Sequence, residues 1–275
     1  MPPQRITVCI PHWQVKPLAT LCLRSLRKHS RKYDLEVIVV DNGSRDESLD
    51  YLRSLRWIRL IERPDEAPTN FPSNVFSAWD LGLREASGEY FVTLHTDVVV
   101  KRDGWLDPFL EELASREQVA GVGAWKLDRQ NPLYRLQKRC FGLAAAAIQR
   151  LAGKKRSTRE PRGSRVQYYP RDYCAMYRTE VLLENAITFR PIHGGGGISV
   201  AKQLWDHGFE TRLIPVSAMD QLLVHIAHGT AGVVASKPLH HRRSQKRVER
   251  RVQRLMSEPW IQGLRDDAAL DDAGQ

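Results

Sequence analysis

LEVIVVDNGS, residues 35–44, runs unbroken through four β-branched residues from Val37 to Val40 and then stops on an acid, an amide and a glycine. An alternating strand would keep one face in water. A continuous apolar run with a sharp stop is instead the pattern of a parallel strand covered on both faces. The Asn42-Gly43 pair supplies the tight turn that ends it.

The flanking segments extend the same reading. ITVCI (6–10) is a first strand closed by Pro11, and Leu18, Leu21, Cys22 and Leu26 fall at helical spacing within 18–29. A helix over 46–55, a short strand in WIRLIERP (57–64) and a helix over 73–86 ended by Ser87-Gly88 come next. The strand EYFVTLHTD (89–97) follows. This β-α-β-α-β-α-β order calls for an α/β fold, an open and mostly parallel sheet with covering helices. Ligands bind such sheets beyond the carboxyl ends of the strands. Three polar spots fall there, Pro11-His12, Asp41-Asn42 and His95-Thr96-Asp97, and they are expected to converge on one crevice.

The second half is less regular. It reads as a helix over 105–115, a short strand VAGVGAW (119–125), a helix over 135–151 and a basic stretch over 153–164. YYPRDYCAMYR (168–178) returns to the sheet, followed by a short helix (181–186), HGGGG (193–197), a helix over 199–207 and the strand FETRLIPV (209–216). An amphipathic helix over 244–255 carries Val248, Val252 and Leu255 on one face. One domain in three parts is expected: residues 1–115, 116–235, and a basic helix with an acidic tail over 236–275.

The 275 residues are 42% hydrophobic, enough for a sizeable core. No run approaches the ~20 apolar residues that span a bilayer, and the first residues lack a secretory signal, so a soluble, cytoplasmic chain is expected. The four cysteines are far apart with no CxxC pair, which points to free thiols. The net charge of +10 is concentrated in 135–171 and 237–254. Such clusters suit phosphates or anionic lipid headgroups, and peripheral contact at the inner face of a membrane is one expectation from them. Arg242 and Arg243 could also steer a diphosphate. Nucleic acid is not the expected partner, because aromatic residues do not interleave with the basic runs.

Asp97 has two readings. A carboxylate at the end of a central strand can hold a divalent cation such as Mg²⁺ or Mn²⁺ together with substrate phosphates, or it can cap a turn. Asp41 likewise can accept from a ring N–H or ribose hydroxyl, or simply close its own turn.

Taken in order, ITVCIPHW…LCLRSL, LEVIVVDNGSRDES, AWDLGLREASGEYFVTLHTDVVV and GWLDPFLEEL resemble the GT-A-fold (Rossmann-like) glycosyltransferases of family 2 from Ile6 to about Leu113. The resemblance implies sugar transfer from a nucleotide-sugar donor to a carbohydrate, lipid-linked or other hydroxyl acceptor, usually with inversion and a divalent metal, Mn²⁺ or Mg²⁺. On that reading Pro11 lies against the base, and Asp41 with Asn42 holds the uracil or ribose. His95-Thr96-Asp97 stands at the family's Asp-x-Asp site, with Thr96 beside the donor and Asp97 on metal and diphosphate. FETRLIPVSAMDQLLVHIAHGT resembles the segment that supplies a late histidine ligand. His225 fits the spacing best and His228 second.

Three positions depart from the family pattern. Gln14-Val15 stands where an Asn is common, and His95 replaces the first acid. The acidic pair that supplies the general base falls on Gly196 and Gly197. A base must lie within hydrogen-bond reach of the acceptor proton. His193, Asp172 and Asp220 are the candidates, and the glycine run reads as a mobile acceptor loop. A non-catalytic sugar-nucleotide-binding protein is the alternative to an enzyme.

Overall fold

The computed structural model describes residues 4–66, 71–125, 168–192, 194–226 and 242–272. Its centre is a seven-stranded sheet in the order β3-β2-β1-β4-β7-β6-β8. The strands are β1 (Arg5–His12), β2 (Asp34–Asp41), β3 (Arg59–Glu62), β4 (Tyr90–Leu94), β6 (Val119–Ala124), β7 (Cys174–Arg178) and β8 (Glu210–Ile214). All neighbours run parallel except β7, which is antiparallel to both β4 and β6. The expected mostly parallel α/β sheet is borne out. The helix expected over 135–151 and the basic stretch after it lie outside the described residues.

The unbroken apolar run of β2 is explained by its two faces. Val37 and Val39 join a cluster with Ile6, Val8, Ile10, Cys22 and Leu26 under α1 (Lys16–His29), which Trp105 and Phe109 continue. Ile38 and Val40 point the other way, into a cluster with Cys9, Trp79, Phe91 and Leu204. That face is covered by α3 (Ser73–Arg84) and α6 (Gly197–Asp206). Burying each of these side chains is worth about 1.5–3 kcal/mol. Cys9, Cys22 and Cys174 are buried free thiols.

The strand expected over 89–97 ends early, and a further short strand follows it. β4 ends at Leu94, the chain turns through His95-Thr96-Asp97 with the Val98 N–H donating to the His95 carbonyl (3.1 Å), and β5 (Val98–Val100) leaves the main sheet. It pairs antiparallel with β9 (Leu223–His225) as a separate two-stranded ribbon, in which Val98 faces His225.

A third cluster covers this ribbon. Val15, Leu18 and Leu21 of the α1 region, Val99 of β5 and Ile226 pack against Leu255, Ile261, Leu264 and Leu270. The latter come from α8 (Arg242–Met256), α9 (Pro259–Asp266) and the 3₁₀ turn Ala268–Asp271. Val248 and Leu255 are buried, so the apolar face expected on this helix is turned inward. The acidic tail is clasped by Arg24, whose guanidinium makes a fork with both Asp271 oxygens (2.9 and 2.5 Å) and also donates to the Leu264 and Arg265 carbonyls. The Tyr51 hydroxyl completes the Asp271 carboxylate at 2.9 Å.

The loops after β1 and β2 are stapled together. Ser44 Oγ accepts from the Gln14 N–H (2.8 Å) and donates to Asp41 (2.5 Å), while Asp46 accepts from the Val15 N–H (3.0 Å). These bonds hold Gln14 and Val15 at φ of 56° and 64°, a left-handed conformation that is unfavourable for a β-branched residue. His12 is buried between them, its Nε2 2.9 Å from Ser48 Oγ and 3.9 Å from Asp41. Burial pushes its imidazole down to about 4, against the upward pull of Asp41 and Asp46.

Two predictions follow from these contacts. Arg24→Met leaves Asp271 without its cation, and urea unfolding should show a loss of about 3 kcal/mol. For His12 the unfolded chain takes its proton near pH 6.5 and the folded chain only near pH 4. Stability is therefore lost as the pH falls through that window, by up to ~3 kcal/mol. The stability advantage of wild type over His12→Gln should shrink as urea midpoints are followed from pH 7 to pH 4. A constant difference would contradict it.

Candidate functional site

Asp97 stands in the turn just before β5 and is only 5% exposed. Its Oδ1 lies 3.4 Å from His225 Nε2 and 3.7 Å from His95 Nδ1, and one ligand atom from each of the three residues can be chosen so that all lie within 4.8 Å of one another. The ribbon builds this cluster: pairing of Val98 with His225, and the bond from the Ile226 N–H to the Asp97 carbonyl (2.9 Å), bring a residue 128 positions away beside the acid.

The rings are held by stacking. His225 lies flat on Tyr173 (4.6 Å between centroids, 13°), and His95 lies on Trp79 (5.4 Å, 24°) with its edge to His225. Burial by itself would raise the Asp97 carboxyl, but the charge and hydrogen bonding of His225, then those of His95, hold it well below the usual carboxylate range. Burial pulls His95 down, yet hydrogen bonding to Asp97, its charge and that of Asp172 lift the imidazole above its ordinary value, with Arg171 opposing. One carboxylate thus holds two imidazoles.

That donor set fits a divalent metal. Two imidazole nitrogens and a carboxylate oxygen suit Mn²⁺ better than Mg²⁺, which favours an all-oxygen shell. His95 Nε2 is buried and has no hydrogen-bond partner among the described residues. Thr96 sits in the turn between the two ligands, partly exposed.

The donor-side residues stand at the same edge of the sheet but are committed locally. Pro11 lies inside β1, opposite Val40, and is buried. Asp41 is 1% exposed, and its two oxygens accept from the Ser44 N–H (2.9 Å) and hydroxyl. Asn42 accepts from the Arg63 guanidinium (2.8 Å). Here Asp41 fixes its own turn. Ser44, Asp46 and Arg63, which organise these loops, carried no signal in the sequence beyond being polar residues after a strand. Next to them Glu66, Ser73, Asn74, Ser77, Arg190 and Pro191 line a cleft of about 370 Å³.

Two of the three base candidates, Asp172 and Asp220, are described, and they lie on different elements. His193 and the second histidine, His228, lie outside the described residues. Asp220 is on α7 (Val216–Leu222), beside Lys101 at the end of the ribbon away from His225. Asp172 precedes Tyr173 and lies at the start of α6. The glycine run expected as a mobile loop is packed: Gly195, Gly196 and Gly197 are buried, and the Gly196 N–H donates to the Phe189 carbonyl (2.8 Å).

The glycosyl transferase family 2 model matches residues 7–184. A segment of 122 residues is 29% identical to the O-antigen biosynthesis protein RfbC of Myxococcus xanthus, covering 43% of this chain and 9% of that protein. Another of 124 residues is 27% identical to the chondroitin synthase of Escherichia coli, covering 44% and 17%. The matched regions thus span less than a fifth of these curated relatives. Among solved structures, the mannosyltransferase PcManGT from Pyrobaculum calidifontis, in complex with GDP-Man and Mn²⁺, matches over 99% of this chain and 76% of that one. Its TM-score is 0.56 at 19% identity. S. aureus TarS 1-349 matches over 96% and 75%, with a TM-score of 0.54 at 14% identity. At these identities the likeness is one of fold, the GT-A fold. Since the family pattern covers 178 of 275 residues, the chain belongs to glycosyl transferase family 2.

Proposed function

We propose that this chain transfers a glycosyl group from a nucleoside-diphosphate sugar to a hydroxyl acceptor, with inversion, in the crevice above Asp97. The observation that carries the proposal is the His95–Asp97–His225 cluster at the carboxyl ends of a GT-A sheet. Asp97 and His225, with His95 in place of a second acid, would hold Mn²⁺. When bound, such an ion neutralises charge on the departing diphosphate. Tyr173 and Trp79 keep the two imidazoles oriented toward that position before any ligand arrives. The buried turns after β1 and β2 form the nucleoside side, residues 1–115 the donor half and residues 116–235 the acceptor side.

Among the described residues no helix is long and apolar enough to cross a membrane. Most of the basic cluster 135–171 lies outside them, so the acceptor is assigned only as a hydroxyl compound. A second reading, a sugar-nucleotide binder without transfer, is supported by the lack of an acid at Gly196 and Gly197.

A ligand at a hundred times its dissociation constant stabilises the folded state by about 2.7 kcal/mol. For a chain of this size that raises Tm by roughly 5–10 °C. Mn²⁺ with UDP, GDP or dTDP should produce such a shift for one nucleotide, and omission of Mn²⁺ should remove most of it. Asp97→Asn, which keeps the shape and discards the charge, should abolish the metal-dependent part, and His225→Ala should reduce it. The absence of a shift with every nucleotide and metal would sink the reading.

A further inference from the structure

We propose that Asp172 is the catalytic base, standing in space where the family's acidic pair is missing from the sequence. The assignment rests on the transfer reading above. Its ground is the packing at the start of α6. A side chain at Gly196 would begin 2.3 Å from Asp172 Oδ2 and 2.9 Å from the Phe76 ring. One at Gly197 would begin 2.4 Å from the Pro170 carbonyl oxygen. Gly196 is also held at φ 61° and ψ −146°, a conformation essentially confined to glycine. With this backbone neither position can carry an acid. The segment 170–172 fills that volume and brings its own carboxylate there.

The backbone places Asp172 beside the candidate site. Leu94 pairs with Cys174, and the His95 N–H donates to the Tyr173 carbonyl (3.1 Å), so Asp172 comes next, alongside the His95–Asp97 turn. Its charge is among those acting on His95. The half-buried Asp172 makes no hydrogen bond or ion pair with any described residue, and α6 has no side-chain cap. Among the described residues nothing in the fold uses its oxygens. Asp97, the neighbouring acid, is shared by two imidazoles.

In the step assigned to it, Asp172 accepts the proton of the acceptor hydroxyl as that oxygen forms its bond to the anomeric carbon. The bond from that carbon to the diphosphate oxygen breaks on the opposite face, and the electron pair leaves with the nucleoside diphosphate. The carboxylic acid then returns its proton to solvent.

The test uses the full chain, Mn²⁺ and the nucleotide sugar selected by thermal shift. In a crystal structure of that complex, the Asp172 carboxylate should stand roughly 6 Å from the anomeric carbon on the face away from the diphosphate, room for one attacking oxygen at ~3 Å from each. Asp172→Asn should keep the wild-type Tm within about 2 °C and bind the donor equally well. It should release nucleoside diphosphate, as the sugar passes to water or to added glycan and alcohol acceptors, at least ~100-fold more slowly, with Asp172→Glu recovering part of the rate. A carboxylate turned away from the anomeric carbon, or an Asn variant keeping a third of wild-type turnover, overturns the assignment alone. Where no acceptor supports turnover, the geometry of the complex decides. Failure of wild type to bind any nucleotide sugar overturns the transfer reading and the base together.

Discussion

A carboxylate buried at the end of a strand has to be compensated, and in this chain Asp97 draws much of the remaining structure toward itself. Left alone at 5% exposure it would cost several kcal/mol or take up a proton. Two imidazoles prevent that, one from the turn after β4 and one from β9. His95 is reached by a turn that ends β4 early, and His225 only because β9 pairs with β5. The ribbon is too short to be stable by itself, so it needs the cover of α8 and α9. The Arg24–Asp271 fork then holds that cover down.

The site combines opposed requirements. A carboxylate between two partly shielded histidines is electrostatically satisfied without a ligand, yet the same atoms form a cation-binding set. The stacking of His225 on Tyr173 and of His95 on Trp79 restricts ring rotation, so a ligand need not supply that ordering. The strained Gln14–Val15 turn belongs to the same edge of the sheet. Its backbone is held by Ser44 and Asp46, which makes the strain a consequence of fixing two loops against each other.

The first half of the fold was legible because its signals are local. Val37 to Val40 show two-sided burial by their lack of alternation, and the strand ends show themselves by sudden polarity. The ribbon was not legible: Val98–Val100 lies beyond the strand expected over 89–97, and its partner is more than a hundred residues away. Asp97 and His225 could be named from motif order. The engagement of Asp41 with Ser44 could not, since the same four residues serve equally for a turn and for a ligand. The glycine run was the opposite case. Four glycines suggested freedom, but Gly196 and Gly197 are small because Pro170 and Asp172 come too close for anything larger, a fact held in three dimensions only. Nothing local tied the acidic tail to the core, because Arg24 is 247 residues away from Asp271.

That last separation has a kinetic side. On a growing chain, β1, β2, β4 and their helices can assemble from nearby segments, but the outer face of α1, with Leu18 and Leu21, has no cover until residues 255–270 have been synthesised. During that interval an apolar helix face and an unsupported ribbon are open to solvent and to other chains. The clasp therefore also sets an order in folding: the edge that carries His225 is covered only when a segment made some 240 residues after α1 returns to it.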